Sequence, residues 1–174
     1  MTATASLQSL IRDVPDFPKQ GIVFKDITPL LKDAAAFKAL VDGFTARFQG
    51  KGVTQVAVIE SRGFLLGSAI AHRLGAGLIP IRKKGKLPWK VLSASYELEY
   101  GTDTIEVHQD AAGAKDKVLV IDDVIATGGT AKAACELMEK LGASVAGVGF
   151  LIELSFLKGR EKLPGRDIFS LITY

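Results

Sequence analysis

Val118-Leu119-Val120-Ile121-Asp122-Asp123-Val124-Ile125-Ala126-Thr127-Gly128-Gly129-Thr130 is the stretch that decides the fold of this 174-residue chain. Its first four residues are an apolar run suited to a strand buried on both faces, and the two acids mark that strand's carboxyl end. Small and hydroxyl-bearing residues with a glycine pair follow, and residues 131–141 then carry a helical pattern. A strand, a glycine-rich turn and a helix start make a phosphate cradle. Backbone N–H groups there lack intrahelical partners, glycine allows close approach, and the helix dipole contributes roughly 0.3–1 kcal/mol toward negative charge. Without Gly-Lys-[Ser/Thr] the turn is not a nucleoside-triphosphate P-loop. Carboxylates beside a phosphate site require something hydroxylated or metal-bound between them. A phosphorylated sugar meets both needs, with phosphate in the loop and ribose hydroxyls or Mg²⁺ at Asp122 and Asp123.

The same layout recurs upstream. Val56-Ala57-Val58-Ile59 is a second apolar run, Glu60-Ser61-Arg62-Gly63 a polar turn, and Phe64, Leu65, Ala69 and Leu74 a helical pattern closed by Gly75. A third run, 78–81, leads into Arg82-Lys83-Lys84-Gly85-Lys86, and a fourth, 145–152, ends at Glu153. Alternating strands and helices of these lengths predict an α/β fold with a parallel-sheet core flanked by helices and joined by right-handed crossovers. Ligands of such sheets bind at the carboxyl ends of the strands, where the clusters at 60–63, 82–86 and 122–130 all fall.

The remaining segments are read as scaffold or cover. Asp33 is suited to N-cap a helix in which Phe37, Leu40, Val41, Phe44 and Phe48 recur at helical spacing. Residues 7–11 form a short helical opening stopped at 14–18, and 21–29 reads as a loop over the core rather than a central strand. Residues 87–110 break the strand-helix rhythm as a long hairpin-like excursion of the kind used for lids. Gly147-Val148-Gly149 lies inside an apolar run with no helix after it, so it is not a dinucleotide fingerprint. Residues 155–174 hold a basic turn (Lys158, Arg160, Lys162) and a final strand, with nothing that demands chemistry.

Length fits one core, which by size scaling buries about 70% of the unfolded surface, so residues 1–174 are read as a single domain. The net charge is a mild +3, and the densest cluster of basic residues lies in the one segment 82–86 rather than along a recognition helix, which favours an anionic substrate over nucleic acid. Cys135 is the only cysteine and sits on an apolar helical face, which fits a reducing, cytoplasmic setting. No 18-residue apolar span or signal pattern points to a membrane. With two histidines and one cysteine a zinc site is excluded, and any metal is read as Mg²⁺ carried in with phosphate oxygens.

Arg62 and the 82–86 cluster are placed to meet a second anion, distinct from the phosphate at 127–130. Phosphoribosyl pyrophosphate has that shape: a 5′-phosphate, a ribose with two vicinal hydroxyls, and a pyrophosphate leaving group that holds Mg²⁺. The 120–130 motif, Val-Ile-Asp-Asp-Val-Ile-Ala-Thr-Gly-Gly-Thr, resembles that of the type I phosphoribosyltransferases. Asp16-Phe17-Pro18, residues 21–27, Glu60-Ser61-Arg62-Gly63-Phe64, residues 81–88, residues 94–101 and residues 157–163 extend the resemblance, in order, to the adenine phosphoribosyltransferase family.

That resemblance implies the type I phosphoribosyltransferase fold, with a small hood at about 14–30 and a mobile loop at about 87–110. It implies transfer of the phosphoribosyl group to adenine, giving AMP and pyrophosphate with Mg²⁺ as cofactor. Val23, Phe24 and Lys25 would meet the base, and Ser61, Arg62, Gly63, Arg82, Lys83 and Lys86 the pyrophosphate. Asp122 and Asp123 would take the ribose hydroxyls, and Ala126, Thr127, Gly128, Gly129 and Thr130 the 5′-phosphate. Glu99, with Tyr100 beside it, matches the catalytic acid of the mobile loop. A homodimer is implied as well, with basic residues of 82–86 reaching the neighbouring site. Lys25 and Glu60 stand where some members carry Arg and Asp; the first keeps the charge but loses a planar fork. Other readings are a phosphoribosyltransferase for hypoxanthine, guanine, xanthine or orotate, and a non-catalytic regulator that senses phosphoribosyl pyrophosphate.

Overall fold

The computed structural model describes residues 7–97 and 101–174. The chain divides into two compact units, residues 1–43 and 44–174. In the first, β1 (Arg12–Val14) and β2 (Phe24–Asp26) pair antiparallel, from Arg12 opposite Asp26 to Val14 opposite Phe24. The stretch expected to be a loop thus contains a strand, but of this small ribbon rather than of the main sheet. Asp26 accepts hydrogen bonds from the Thr28 N–H and hydroxyl, both at 2.9 Å, and starts the short α1 (Thr28–Lys32) with Pro29 in its first turn. Asp33 then caps α2 (Ala34–Phe48) by accepting from the Ala36 N–H at 2.9 Å, as its position predicts.

The second unit is built on a seven-stranded sheet. Its strands are β3 (Gln55–Ile59), β4 (Gly77–Lys83), β5 (Val91–Glu97), β6 (Thr102–His108), β7 (Lys117–Ile125), β8 (Ser144–Glu153) and β9 (Ile168–Thr173). They lie in the order β5-β6-β4-β3-β7-β8-β9. From β4 to β9 all neighbours are parallel, while β5 and β6 form an antiparallel hairpin that joins the β4 edge through Arg82 opposite Glu106 and Lys83 opposite Ile105. The 87–110 excursion is therefore largely regular strand that extends the sheet. It falls outside the parallel rhythm because a hairpin reverses direction without a crossover helix.

The parallel strands read as unbroken apolar runs because both faces are covered. Val118, Leu119, Val120 and Ile121 are fully buried. α3 (Arg62–Leu74) lies against one face so closely that a side chain at Gly67 would come within 2.0 Å of Val58 Cγ1. The opposite face carries α4 (Gly129–Lys140), whose Ala133, Ala134, Leu137 and Met138 share a core with Ala57, Ile59, Ile81, Val118 and Val120. Cys135 belongs to that core, and burial pushes its thiol up to about 12. In β8, side chains at Gly147 and Gly149 would strike Phe48 Cε1 at 2.6 Å and Phe44 Cε1 at 2.7 Å, so the Gly-Val-Gly run makes room for aromatic rings. Two short 3-10 turns, Ser155–Leu157 and Gly159–Lys162, connect β8 to β9. Among the described residues no helix is long and apolar enough to cross a membrane.

Candidate active site at the strand ends

β3, β4 and β7 deliver their polar turns to one rim of the sheet. At the end of β7, Asp123 is buried and Asp122 partly so; the Asp122 Oδ1 accepts the Asp123 N–H at 2.8 Å. Burial and the neighbouring Asp123 charge push the Asp122 carboxyl well above the ordinary carboxylate range. Burial also raises Asp123, although Arg62 pulls it down. Arg62 Nη2 lies 2.7 Å from Asp123 Oδ2; the pair is close without being aligned as a hydrogen bond, so charge proximity holds it. Burial thus disfavours charge on both acids, and at Asp123 the Arg62 guanidinium offsets part of that effect.

Gly128 opens α4 with a left-handed φ of +79°, a conformation in which most side chains are strained, and its carbonyl accepts the Lys132 N–H at 3.0 Å. Gly128 and Gly129 are buried, and Ala126, Thr127 and Thr130 are partly exposed. Backbone N–H groups at the first turn of this twelve-residue helix have no intrahelical acceptor, and Lys132 is the first cation on the helix.

The turn after β3 meets this rim. Ser61 precedes α3 at the N-cap position without a side-chain capping bond, and Gly63 is pressed against the end of β7: a side chain there would approach Ile121 O at 3.0 Å and Asp122 Oδ1 at 3.2 Å. Gly63 therefore brings the Arg62 turn and the two acids together. Glu60 then organises the basic turn. Its side chain, 9% exposed, accepts from Arg82 Nε at 3.2 Å, from the Lys83 N–H at 3.0 Å and from Lys86 Nζ, while Arg82 Nη1 donates to the Lys86 carbonyl at 3.1 Å. Burial alone would raise the Glu60 carboxyl, but Lys86, the Lys83 N–H and Arg82 together hold it below its ordinary range.

Lys83 parts from its neighbours because successive side chains of a strand point to opposite faces. Its ammonium goes to Asp103 and to the Tyr96 hydroxyl at 3.3 Å, and that hydroxyl donates to Asp103 Oδ2 at 3.2 Å. The contact to Asp103 keeps the lysine charged despite desolvation. Glu106, buried on β6, accepts the Gly85 N–H at 2.8 Å and the Ser93 hydroxyl at 3.2 Å, which pins the turn to the hairpin. Residue type alone gave no sign of Asp103 and Glu106; the register of β5, β6 and β4 supplies it.

A cleft of about 390 Å³ opens between the hairpin and α4, lined by Ser95, Tyr96, Thr102, Gly129, Lys132 and Lys162 among others. Glu99 and Tyr100 lie outside the described residues. In the first unit, Lys25 Nζ donates to Asp13 Oδ1 at 2.7 Å, Phe24 packs edge-on against Phe17 at 5.2 Å, and Val23 is 48% exposed. Among the described residues no group of three or more His, Cys, Asp or Glu side chains is arranged to hold a metal. The adjacent carboxylates of Asp122 and Asp123 nevertheless fit Mg²⁺, which needs only one or two protein carboxylates when phosphate oxygens and water complete its shell.

The family model of the phosphoribosyl transferase domain covers residues 31–168. The adenine phosphoribosyltransferase of Roseiflexus sp. (strain RS-1) is 54% identical over 171 residues, which span 98% of this chain and 99% of that protein. The chain belongs to the adenine phosphoribosyltransferase family. Among solved members, the adenine phosphoribosyltransferase of Thermoanaerobacter pseudethanolicus superposes with a TM-score of 0.96 at 50% identity, covering 98% of this chain and 99% of that one. The Saccharomyces cerevisiae adenine phosphoribosyltransferase, complexed with an imino-altritol bisphosphate and adenine, superposes with a TM-score of 0.92 at 40% identity, covering 97% and 98%. The mixed seven-stranded sheet is thus that of the type I phosphoribosyltransferases.

Proposed function

We propose that this rim binds phosphoribosyl pyrophosphate and that the protein works as a purine-salvage transferase, moving the 5-phosphoribosyl group to adenine with release of AMP and pyrophosphate. The observation that carries this reading is a near full-length relationship to adenine phosphoribosyltransferases in a chain whose Arg62 turn, buried acids and glycine-rich helix start share one sheet rim. The yeast relative's complex with adenine and a bisphosphate agrees with a site that takes a base and two anionic groups.

In this reading Ala126, Thr127, Gly128, Gly129 and Thr130 take the 5′-phosphate through backbone N–H groups and hydroxyls. Asp122 and Asp123 take the ribose hydroxyls. Arg62 leaves Asp123 for the pyrophosphate, joined by Ser61, Gly63, Arg82, Lys83 and Lys86. A ring nitrogen of adenine forms a bond to C1 of the ribose as the bond from C1 to the pyrophosphate oxygen breaks. The electron pair leaves with pyrophosphate, and the base gives up its ring proton. Asp122 and Asp123 favour the positive charge that develops on the sugar, while Arg62, Arg82 and Lys86 stabilise the charge that departs. Mg²⁺, when bound with the substrate, supplies charge neutralisation on the pyrophosphate oxygens. Glu99 receives the base proton, with Tyr100 beside it, and Val23, Phe24 and Lys25 contact the base.

Residues 1–174 act as one phosphoribosyltransferase domain, with 14–30 as its hood and 87–110 as the segment that carries the catalytic loop. The working form is a cytoplasmic homodimer without nucleic-acid or membrane partners. Product formation from adenine, hypoxanthine, guanine, xanthine and orotate, each with phosphoribosyl pyrophosphate and Mg²⁺, tests the assignment. AMP from adenine alone is the expected result; turnover of another base in preference, or binding to DNA without turnover, would overturn it. Sedimentation at working concentration tests the dimer.

A further inference from the structure

Two glycines face each other across the back of the 126–130 loop. A side chain on Gly128 would lie 2.2 Å from the Gly159 carbonyl oxygen and 3.1 Å from Gly159 Cα. One on Gly159 would lie 2.3 Å from the Ala126 carbonyl oxygen, 2.7 Å from Ile125 Cγ1 and 3.1 Å from Gly128 N. All of these except the one to Ile125 Cγ1 are approaches to backbone, which cannot swing aside as a side-chain tip can. Gly128 needs its left-handed φ in any case, whereas Gly159 is not among the positive-φ residues. At Gly159 only the shortage of space calls for glycine.

The turn that carries Gly159 has nowhere to retreat. Leu154 N–H donates to the Ile125 carbonyl at 3.0 Å, next to the loop. Arg160 forms a two-pronged pair with Glu153 at the end of β8, both contacts at 2.6 Å, and also reaches the Ile168 carbonyl and the Ser170 hydroxyl on β9. Leu163 behind it is buried. The turn is fastened to two strands, so a side chain inserted at Gly159 displaces the segment in front of it.

We propose that Gly159 is a positioning residue: by bringing the 159–162 turn into backbone contact with Ala126 and Gly128, it fixes the loop that receives the 5′-phosphate. The inference rests on the reading of 126–130 as the 5′-phosphate site. It separates the two anion subsites, because the brace touches one and not the turn at 82–86.

The test uses the full-length protein and its Gly159→Ala variant, with dissociation constants for AMP and for pyrophosphate, the KM for phosphoribosyl pyrophosphate and the KM for adenine. The expected result is a roughly ten- to hundredfold rise in the AMP constant and in the phosphoribosyl pyrophosphate KM, the scale of an ångström-level misplacement. The pyrophosphate constant and the adenine KM stay within about twofold of wild type. Equal weakening of AMP and pyrophosphate, or no change in either, overturns the proposal, since a merely structural role lowers both alike. If Gly159→Ala does not fold, Arg160→Lys, which keeps the charge but loses the fork that fastens the turn, gives the same selective pattern at smaller size, and an unselective pattern there overturns it equally. A wild-type protein that binds neither AMP nor phosphoribosyl pyrophosphate would instead sink the phosphate-loop reading itself.

Discussion

The glycine-rich loop at 126–130 and the basic turn at 82–86, the two anion subsites of the proposed reading, are built from opposite materials. The loop is backbone: buried glycines, a helix start, and the path of the chain itself. The turn is side chain: Arg82 and Lys86 are gathered by Glu60, Lys83 is held by Asp103 and Tyr96, and Glu106 ties the Gly85 N–H to the hairpin. A site made of backbone dipoles has its geometry set by folding and has no titratable group to lose. A site made of charged side chains is adjustable, but it depends on counter-charges that keep those side chains in place. The difference suits a reaction in which one phosphate stays on the sugar throughout while the other departs.

The sharpest way to break the contrast is Gly128→Ala, which places a side chain at φ +79° and against the Gly159 carbonyl. A fall in kcat/KM for phosphoribosyl pyrophosphate of about two to three orders of magnitude is expected in steady-state assays, because both backbone strain and displacement act on the cradle. Near wild-type kinetics would show that the loop is not held by backbone packing. Next in size is Glu60→Gln, which preserves shape and removes the counter-charge. The KM for phosphoribosyl pyrophosphate should rise about tenfold with the AMP dissociation constant almost unchanged, on the scale of losing charge-assisted hydrogen bonds. Titration of both constants in one buffer decides it, and a parallel loss of AMP would mean that the two subsites are not independent.

Smaller still is Asp103→Asn. Lys83 loses the carboxylate that competes with an incoming anion, so the KM for phosphoribosyl pyrophosphate should fall by about two- to threefold, a modest change for a partly exposed pair. An increased KM would mean that Asp103 presents Lys83 rather than withholding it.

The smallest effect concerns the acids between the two subsites. Because burial raises the Asp122 carboxyl above its ordinary 3.8, the folded protein holds that proton more tightly than the unfolded chain does. The associated stability is present below about 3.8 and is lost as pH rises through the higher folded value. Asp122→Asn, neutral throughout, should therefore melt above wild type at neutral pH, with the gap closing toward about pH 4. Melting curves across that range test it; a constant gap would deny the raised carboxyl. Glu60 runs the other way: its contribution is present above the ordinary carboxyl range and is lost only as pH falls through its depressed value.

What could be read in the sequence follows the same division. The strand, glycine turn and helix of 118–140 are local, and apolar runs, acids and glycines announce them within one short window. The cap at Asp33 and the hairpin-like character of 87–110 are local too. The destinations of Lys83 and of Gly85 are not, because they depend on how β6 registers against β4, with Lys83 opposite Ile105 and Arg82 opposite Glu106. Five basic or glycine residues in a row look like one cluster until alternation sends Lys83 to the other face. Gly159 was hidden for a related reason. A glycine in an ordinary turn conformation carries no signal of its own, and the segment around it reads as surface until its carbonyl is placed against Gly128. Glu99 and Tyr100 stand on the family resemblance alone, and Val23, Phe24 and Lys25 belong to a unit whose ribbon the sequence did not announce.

The empty space at Gly147 has a consequence for the history of the chain. Phe48 fills that space, packs edge-on against Phe169 and lies beneath the Arg47 and Lys51 charges. A larger residue at 147 has no room until the ring at 48 has shrunk, whereas a smaller residue at 48 leaves only a void, which the fold can survive at a cost. The two positions can therefore drift apart in one order and not the other. Descendants of this sequence that carry alanine at 147 should have passed through an ancestor that had already given up the phenylalanine.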